Sequence, residues 1–294
     1  MGAESAEPAA PGLRHGITIL PEAPWREAAP RWRAAEQLGF DHAWTYDHLV
    51  WGGLPESPWH AAVPTLAAAA GVTSRIGLGT FVASPNYRHP YPFVRELHTL
   101  DDLTGGRLLC GVGTGGDLDS GILGESYPVR DRVDRFHEFV GLLRRLLHED
   151  HVEHDGVWYR TRDARTLPGP AGEPVPLLVA ANGPRSIRLA AALGDGWVTF
   201  GGQGDTLDGW FGHVAGLSSR YEDACALAGR EPGRRVLSLD ASPRYALESA
   251  ATYAEMAGRA AELGFTDVVT HWPRAEGPYA GDEAVLEQVA ATLG

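Results

Sequence analysis

The chain has 294 residues, of which 44% are hydrophobic and 21% charged, a composition typical of a folded globular protein rather than a disordered one. Its formal net charge is −13, from 25 basic and 38 acidic residues, which repels a phosphate backbone and excludes nucleic acid as an expected partner. The two cysteines, Cys110 and Cys225, lack CxxC spacing, so neither a disulfide framework nor a zinc site is expected.

The opening segment, residues 1–12, has no basic start followed by an apolar run, and it is predicted to be a disordered tail. From residue 13 onward, short β-rich runs alternate with segments of helical spacing, an order that indicates a parallel sheet. Nothing in the chain approaches about 18 consecutive apolar residues, so a cytoplasmic protein without membrane spans is expected.

The alternation can be followed through eight repeats. Strands are predicted over 14–20, 40–47, 75–83, 107–115, 176–182, 196–200, 235–241 and 265–272, and helices near 26–38, 60–72, 92–103, 134–148, 184–193, 206–228, 249–263 and 282–293. Eight strands, each followed by a helix, are the count of a (β/α)8 TIM barrel. We therefore predict the α/β class, with residues 13–294 forming a single TIM-barrel domain.

Two stretches lie outside the repeat. Residues 117–133 lengthen the loop after strand four, and residues 151–168 resemble a hairpin that turns at Asp155 and Gly156 before strand five. Long loops at this end of a barrel are usually lids or substrate walls. A doubly wound open sheet would carry GxGxxG after strand one, where ILPEAPW stands instead, so the barrel is favoured.

The ends of the predicted strands hold the candidate site residues, because active sites of TIM barrels lie there. Strand two ends at Asp47 and His48, and a histidine in this place can hydrogen-bond a cofactor or supply a proton near neutral pH. Asp47 taken alone is more often a turn cap. After strand five, Gly183 and Pro184 begin a helix whose free amides suit an anion, although a plain capped turn has the same sequence.

Several reaction classes are excluded by what the chain lacks. No GxSxG is present, so a serine hydrolase is not supported, and no lysine occurs anywhere, which removes Schiff-base mechanisms. The histidines are scattered and no HExxH is found, so no metal is expected.

Three segments together resemble the bacterial luciferase-like superfamily of flavin- or deazaflavin-dependent barrel oxidoreductases: GFDHAWTYDHL (39–49), TSRIGLGTFVASPNYRHPYPFVRELHTLDDLTGGRLLCGVGTG (73–115) and VAANGPRSIRLAAALGDGWVTF (179–200). Within it, the Asp-His pair at the end of strand two is similar to the branch that uses coenzyme F420. The resemblance implies hydride transfer between reduced F420 and a small organic substrate, with His48 as the catalytic residue and Asp47 contacting the deazaflavin ring.

The resemblance also implies where the cofactor lies. A non-prolyl cis peptide between Phe81 and Val82 would form a bulge under the ring, with Ser84 as a further ring contact. The residues implied for the cofactor's tail and phosphate are Thr114, Gly115, Asn182 and Gly183, and those implied for the substrate pocket are Trp51 and Asp117.

One departure from the family pattern keeps alternatives open. The F420-dependent sugar-phosphate dehydrogenases carry a glutamate after the Thr-Gly of strand four, where this chain has Gly116 followed by Asp117, so sugar phosphates are not expected as substrates. The acidic chain also offers little basic surface for an oligoglutamate tail. Reduced FMN with molecular oxygen, in a monooxygenase served by a separate reductase, is one alternative, and a non-catalytic flavin-binding barrel is another. Members of the family are commonly homodimers.

Overall fold

The computed structural model describes residues 12–170 and 172–293. Within these ranges eight parallel strands form a closed barrel: β1 (Arg14–Thr18), β2 (His42–Thr45), β3 (Gly77–Ala83), β4 (Leu108–Val112), β7 (Leu177–Ala180), β8 (Gly196–Thr199), β9 (Arg234–Ser238) and β10 (Asp267–His271). Strands β5 (Val152–Asp155) and β6 (Arg160–Ala164) form a separate antiparallel hairpin. The predicted TIM barrel is confirmed, whereas the predicted tail over 1–12 lies, apart from Gly12, outside the described residues.

Helices separate the strands along the chain. They are α1 (Trp25–Gln37), α2 (Ala62–Ala70), α3 (Pro90–Thr104), α4 (Asp117–Ile122), α5 (Val129–His148), α6 (Pro184–Leu193), α7 (Leu207–Ala228), α8 (Ala250–Glu262) and α9 (Glu283–Ala290). No helix of the described ranges combines the length and the hydropathy that a bilayer crossing requires.

Two hydrophobic clusters follow from the alternation of side chains along each strand. The larger cluster packs the helices against one side of the strands. The smaller cluster takes the alternate strand residues, such as Trp44, Leu109, Leu178, Val198 and Val236, and it fills the barrel interior. The interior is therefore a packed core, and open space is left at its rim.

A buried ionic network joins four neighbouring strands at the N-terminal end of the barrel. The carboxylate of Asp267 on β10 accepts two hydrogen bonds of 2.8 Å from Arg14 on β1, one of 2.9 Å from His42 on β2, and further bonds from Arg234 on β9. Burial opposes ionisation of Asp267, but these donors outweigh burial and hold its pKa well below the usual value. The network links β1 to β10, the first and last strands, whose pairing closes the barrel.

The insertion after β4 contains more regular structure than expected. The sequence predicts a loop over 117–133, but α4 occupies its beginning and α5 starts at Val129, directly after Pro128. A proline is accommodated just before a helix because its fixed φ and missing N–H suit that position.

The predicted hairpin is present, but its turn is longer than expected. Asp155 pairs with Arg160, so four residues, 156–159, make the turn in place of a tight turn at Asp155 and Gly156. The carboxylate of Glu138 on α5 accepts the backbone N–H groups of Val157, Trp158 and Tyr159 at distances between 2.9 and 3.2 Å. This contact with α5 stabilises the longer turn, and no local sequence pattern predicts it.

Candidate functional site

A cavity of about 640 Å³ opens at the C-terminal ends of the barrel strands. Nine of the eleven residues selected from the sequence line it, namely His48, Trp51, Phe81, Val82, Ser84, Thr114, Gly115, Asn182 and Gly183. They come from the segments that follow β2, β4 and β7 and from the end of β3 and the turn after it. Four loops that are distant in sequence thus meet at one rim, as the barrel topology requires.

The cis peptide implied by the resemblance is present between Phe81 and Val82. The pairing of β3 with β4 shifts register between Thr80 and Ala83, so the bond lies within a bulge. The bulge packs closely on β4. A Cβ atom added to Gly113 would lie 2.7 Å from Cγ2 of Val82, and one added to Gly111 would lie 2.3 Å from the carbonyl oxygen of Thr80. The glycines of GVGTGG (111–116) therefore include two that make room for the bulge.

His48 lines the cavity and is held by a carboxylate that the sequence analysis did not select. Its Nδ1 lies 2.7 Å from Oδ2 of Asp119, a buried residue of α4, while Oδ1 of Asp119 accepts the backbone N–H of Leu49 at 2.7 Å. Burial opposes ionisation of Asp119, but the bonds from His48 and from the Leu49 and Val50 amides prevail and lower its pKa. With Nδ1 engaged, Nε2 is the ring nitrogen left for a ligand in the cavity.

Asp47, which was expected to contact the ring, does not line the cavity. Its carboxylate accepts the hydroxyl of Tyr87 at 2.7 Å and forms an ion pair with Arg88, both from the segment that follows β3. Burial, followed by the Asp47 charge, raises the pKa of Tyr87, so its hydroxyl stays a donor. Neighbouring residues of an extended segment point to opposite sides, and here only His48 of the pair faces the cavity.

Asp117 is also absent from the cavity wall. Its side chain is 81% exposed and forms an ion pair with Arg132. Asp117 and Asp119 both belong to α4, where two residues differ by about 200° around the axis, so only one of them can face His48. The carboxylate that reaches His48 is therefore that of Asp119, two positions after the predicted pocket residue, because the sequence does not fix the rotation of a short helix.

The end of the cavity between α5 and α6 has the features of an anion site. Arg132 lines it, and its Nε is buried with no hydrogen-bond partner among the described residues. Gly183 is the N-cap of α6 and a Cβ atom added to it would meet nothing within 4 Å, so the first amides of this helix are open to a ligand. Ser186, in the first turn of α6, lines the same wall. The sequence pattern pointed to the helix start but not to Arg132.

Asn182 contributes differently from what its position in the motif implied. Its Oδ1 accepts the hydroxyl of Thr199 at 2.7 Å and its Nδ2 donates to the carbonyl oxygen of Gly201. The side chain is thus bound to the segment after β8. These bonds hold the loop that carries Gly183 in place. With its side chain engaged, Asn182 offers its backbone to a ligand.

A second polar chain reaches the cavity through Tyr46, which the sequence analysis passed over. Its hydroxyl lies 2.8 Å from Nε2 of His271, and Nδ1 of His271 lies 2.8 Å from Asp240. The ring of Tyr279 stacks on His271 with 3.7 Å between centroids. Burial, then the proximity of Tyr279, raises the pKa of Tyr46 well above its usual value, so the phenol remains protonated. Asp240 and His271 stand at or just beyond strand ends, which is the signal that could have found them.

Comparison with known proteins adds to this geometry. The family model described as luciferase-like monooxygenase matches residues 7–285. The F420-dependent glucose-6-phosphate dehydrogenase of Intrasporangium calvum is 39% identical over 187 residues, covering 62% of this chain and 56% of the relative. The protein of the same name from Kineococcus radiotolerans is 32% identical over 264 residues, covering 87% of this chain and 75% of the relative. The chain thus spans little more than half the length of the first of these relatives.

A solved F420-dependent secondary alcohol dehydrogenase, in complex with an F420-acetone adduct, has the same fold. It superposes with a TM-score of 0.78 at 18% identity, covering 96% of this chain and 99% of that one. At this identity the likeness concerns the fold alone.

Proposed function

The chain belongs to the luciferase-like monooxygenase family, and on this premise we propose that it is a coenzyme F420-dependent oxidoreductase. It would pass a hydride between the deazaflavin and a small organic substrate. The observation that carries the proposal is the rim cavity, which is lined both by the Phe81–Val82 bulge and by a histidine oriented by Asp119. The named activity of the relatives is the supporting argument for F420 over FMN.

The residues of the cavity fit a flat ring with an anionic tail. Phe81 and Val82 offer an apolar surface for the ring, and the unpartnered Nε of Arg132 with the open N-terminus of α6 would hold a phosphate. Thr114 and Gly115 line the wall between these two parts. When bound, the deazaflavin supplies the hydride chemistry, and the protein positions it and excludes water.

His48 is the proposed acid-base residue. Asp119 holds Nδ1, so Nε2 can take the hydroxyl proton of an alcohol as its carbon loses a hydride, or return a proton to the oxygen of a carbonyl compound in the reverse direction. Asp119 is then a positioning residue, since it acts through the imidazole.

The cavity favours an uncharged substrate with apolar substituents. Arg132 is the only arginine that lines it within the described residues, and Arg132 belongs to the end assigned to the cofactor's phosphate. The opposite part is lined by Tyr46, Trp51, Phe81 and Phe200. A sugar phosphate needs cations that this part does not offer. We therefore propose an alcohol or carbonyl compound rather than the substrate for which the relatives are named.

Titration of the purified protein with F420 and with reduced FMN, followed by fluorescence or absorbance, tests the cofactor. We expect tight binding of F420 alone. A panel of secondary alcohols, with glucose 6-phosphate as the comparison, is then assayed by loss of the oxidised deazaflavin absorbance. Binding of FMN alone, with oxygen-dependent turnover, would replace the proposal with a monooxygenase. Cofactor binding without any turnover would favour a flavin-binding barrel.

The remaining partners stay predictions. We propose a homodimer, as is common in the family, and a separate reductase or a second F420 enzyme that restores the cofactor's redox state. Light scattering on the purified protein measures the oligomeric state. Turnover that continues only when the reductase or second F420 enzyme is added indicates that this enzyme restores the cofactor. A cytoplasmic location likewise stays a prediction of the sequence.

A further inference from the structure

A second depression, of about 500 Å³, lies between α5 and α6 on the outside of the barrel. We call it the α5–α6 groove. It is lined by His137, Arg185, Arg188, Leu189, Ala192 and Leu193. Half of these residues are basic and none is acidic, in a protein whose formal net charge is −13.

The groove continues from the end of the cavity that has the features of an anion site. Val133 on α5 and Gly183, the N-cap of α6, line the cavity. About one helical turn after Val133, His137 lines the groove, and so does Arg185 in the first turn of α6. Four residues of a helix advance about 6 Å, so a ligand leaving the cavity at the N-terminus of α6 reaches the groove within a few bonds.

The positive charge in the groove is only partly compensated. Arg188 forms no ion pair with any described residue, and Arg185 pairs with Asp134 alone. Nε2 of His137 is buried and has no hydrogen-bond partner in the described part of the chain. Burial lowers the pKa of His137, and the neighbouring charges of Arg185 and Arg188 lower it further. An arginine without a partner, beside a second arginine with a single carboxylate partner, forms a site that attracts an anion.

We propose that the α5–α6 groove binds the oligoglutamate extension of F420. This inference rests on the proposed function, which places the cofactor's phosphate at the N-terminus of α6. Carboxylates of the extension would pair with Arg185 and Arg188, and its methylene groups would lie on Leu189 and Ala192. The sequence suggested little basic surface for such a tail because His137 and Arg188 are 51 positions apart and meet only in the fold.

The test compares F420 carrying a long oligoglutamate tail with F420 from which the glutamates have been removed, by fluorescence titration at low and at physiological salt. The wild type is expected to bind the long-tailed form more tightly. The double variant R185A/R188A is expected to lose roughly three- to tenfold of that preference while its affinity for the tail-less form stays the same, since exposed ion pairs are individually weak. Added salt should shrink the preference.

Two further variants sharpen the test. Asp134→Asn frees Arg185 from its ion pair and is expected to increase the preference for the long tail about twofold, opposite in sign to the double variant. Arg33→Ala removes an exposed arginine of α1 that forms no ion pair with any described residue, and it is the control, expected to change nothing.

The outcomes separate this inference from the proposed function. Equal affinities of the wild type for both forms would overturn the assignment of the groove while leaving F420 as the cofactor. A loss of preference in Arg33→Ala as large as that in R185A/R188A would overturn it as well. Absence of binding to either form would overturn both. A groove that instead captures an acidic peptide with no preference for the long tail would also refute the assignment.

Discussion

The orientation of His48 is decided by a single carboxylate two positions away from the one that the sequence suggested. Asp119 is buried and reaches both the imidazole and the Leu49 amide, whereas Asp117 is exposed and pairs with Arg132. Because one residue in a helix turns by about 100°, the exchange of roles follows from the rotation of α4 alone.

Replacement of these two aspartates by asparagine should therefore have unequal effects. Asp119→Asn is expected to reduce turnover about 100-fold, because the imidazole loses the carboxylate that orients it. Its pH profile should change as well, with little change in the Kd of F420. Steady-state kinetics across pH checks this, and Asp117→Asn is the control with nearly unchanged rates. Equal losses in the two variants would refute the role of Asp119.

A second residue-scale prediction concerns Gly113 on the wall of the cavity. Alanine at this position would place its Cβ 2.7 Å from Cγ2 of Val82, so the bulge must shift toward the space assigned to the ring. We expect Gly113→Ala to fold and to weaken F420 binding by about tenfold, since overpacking typically costs 1–3 kcal/mol. Gly121→Ala is the control, because nothing lies within 4 Å of a Cβ added there. Unchanged cofactor affinity in Gly113→Ala would show that the ring lies elsewhere.

At the scale of elements, the barrel closes through β1 and β10, whose backbone pairing is reinforced by the buried network at Asp267. The donors come from β1, β2 and β9, so one carboxylate links four strands. Removal of one partner from a buried ionic network is strongly destabilising because it leaves the other charges unpaired.

Asp267→Asn should consequently reduce the free energy of unfolding near neutral pH by about 3–5 kcal/mol. The folded-state pKa of Asp267 is depressed, so its contribution is complete above the unfolded pKa of about 4 and is lost as the pH falls below it. Urea unfolding at several pH values checks this, with a wild-type advantage that narrows toward acid. A difference that stays constant with pH would contradict the assignment. Asp223→Asn, exposed on α7, is the control.

At the scale of the whole molecule, both cysteines lie in the hydrophobic layer that packs the helices against the strands, and both are closed to solvent there. Cys110 on β4 is fully buried, and burial raises its pKa to about 12. Cys225 on α7 is 1% exposed, and burial is the main cause that raises its pKa too. Neither thiol is in a position to react while the barrel is folded.

Both thiols should therefore resist alkylation in the native protein and react together on unfolding. The expected result is no labelling by a thiol reagent at neutral pH without denaturant, and labelling of two thiols in denaturant. Mass spectrometry of the labelled peptides identifies each site. Rapid native labelling of Cys225 alone would indicate that α7 opens locally while the barrel persists.

Much of the molecule was determined by the sequence alone. The alternation of β-rich runs with segments of helical spacing was sufficient for the barrel, because each run can bury its apolar face only against its neighbours. The resemblance to the luciferase-like superfamily implied the cis bond and the roles of the nine predicted residues that line the cavity. These residues meet because the topology brings all strand ends to one rim.

What only the tertiary structure decided depends on rotation and on contacts between distant segments. The rotation of α4 selected Asp119 over Asp117, and the hairpin that packs on α5 has a four-residue turn, 156–159, in place of a tight one. The meeting of His137 with Arg188 created a cationic groove in an acidic chain. Local sequence sets which residues can form a helix or a strand, but the direction in which each side chain points is fixed only when these elements pack together.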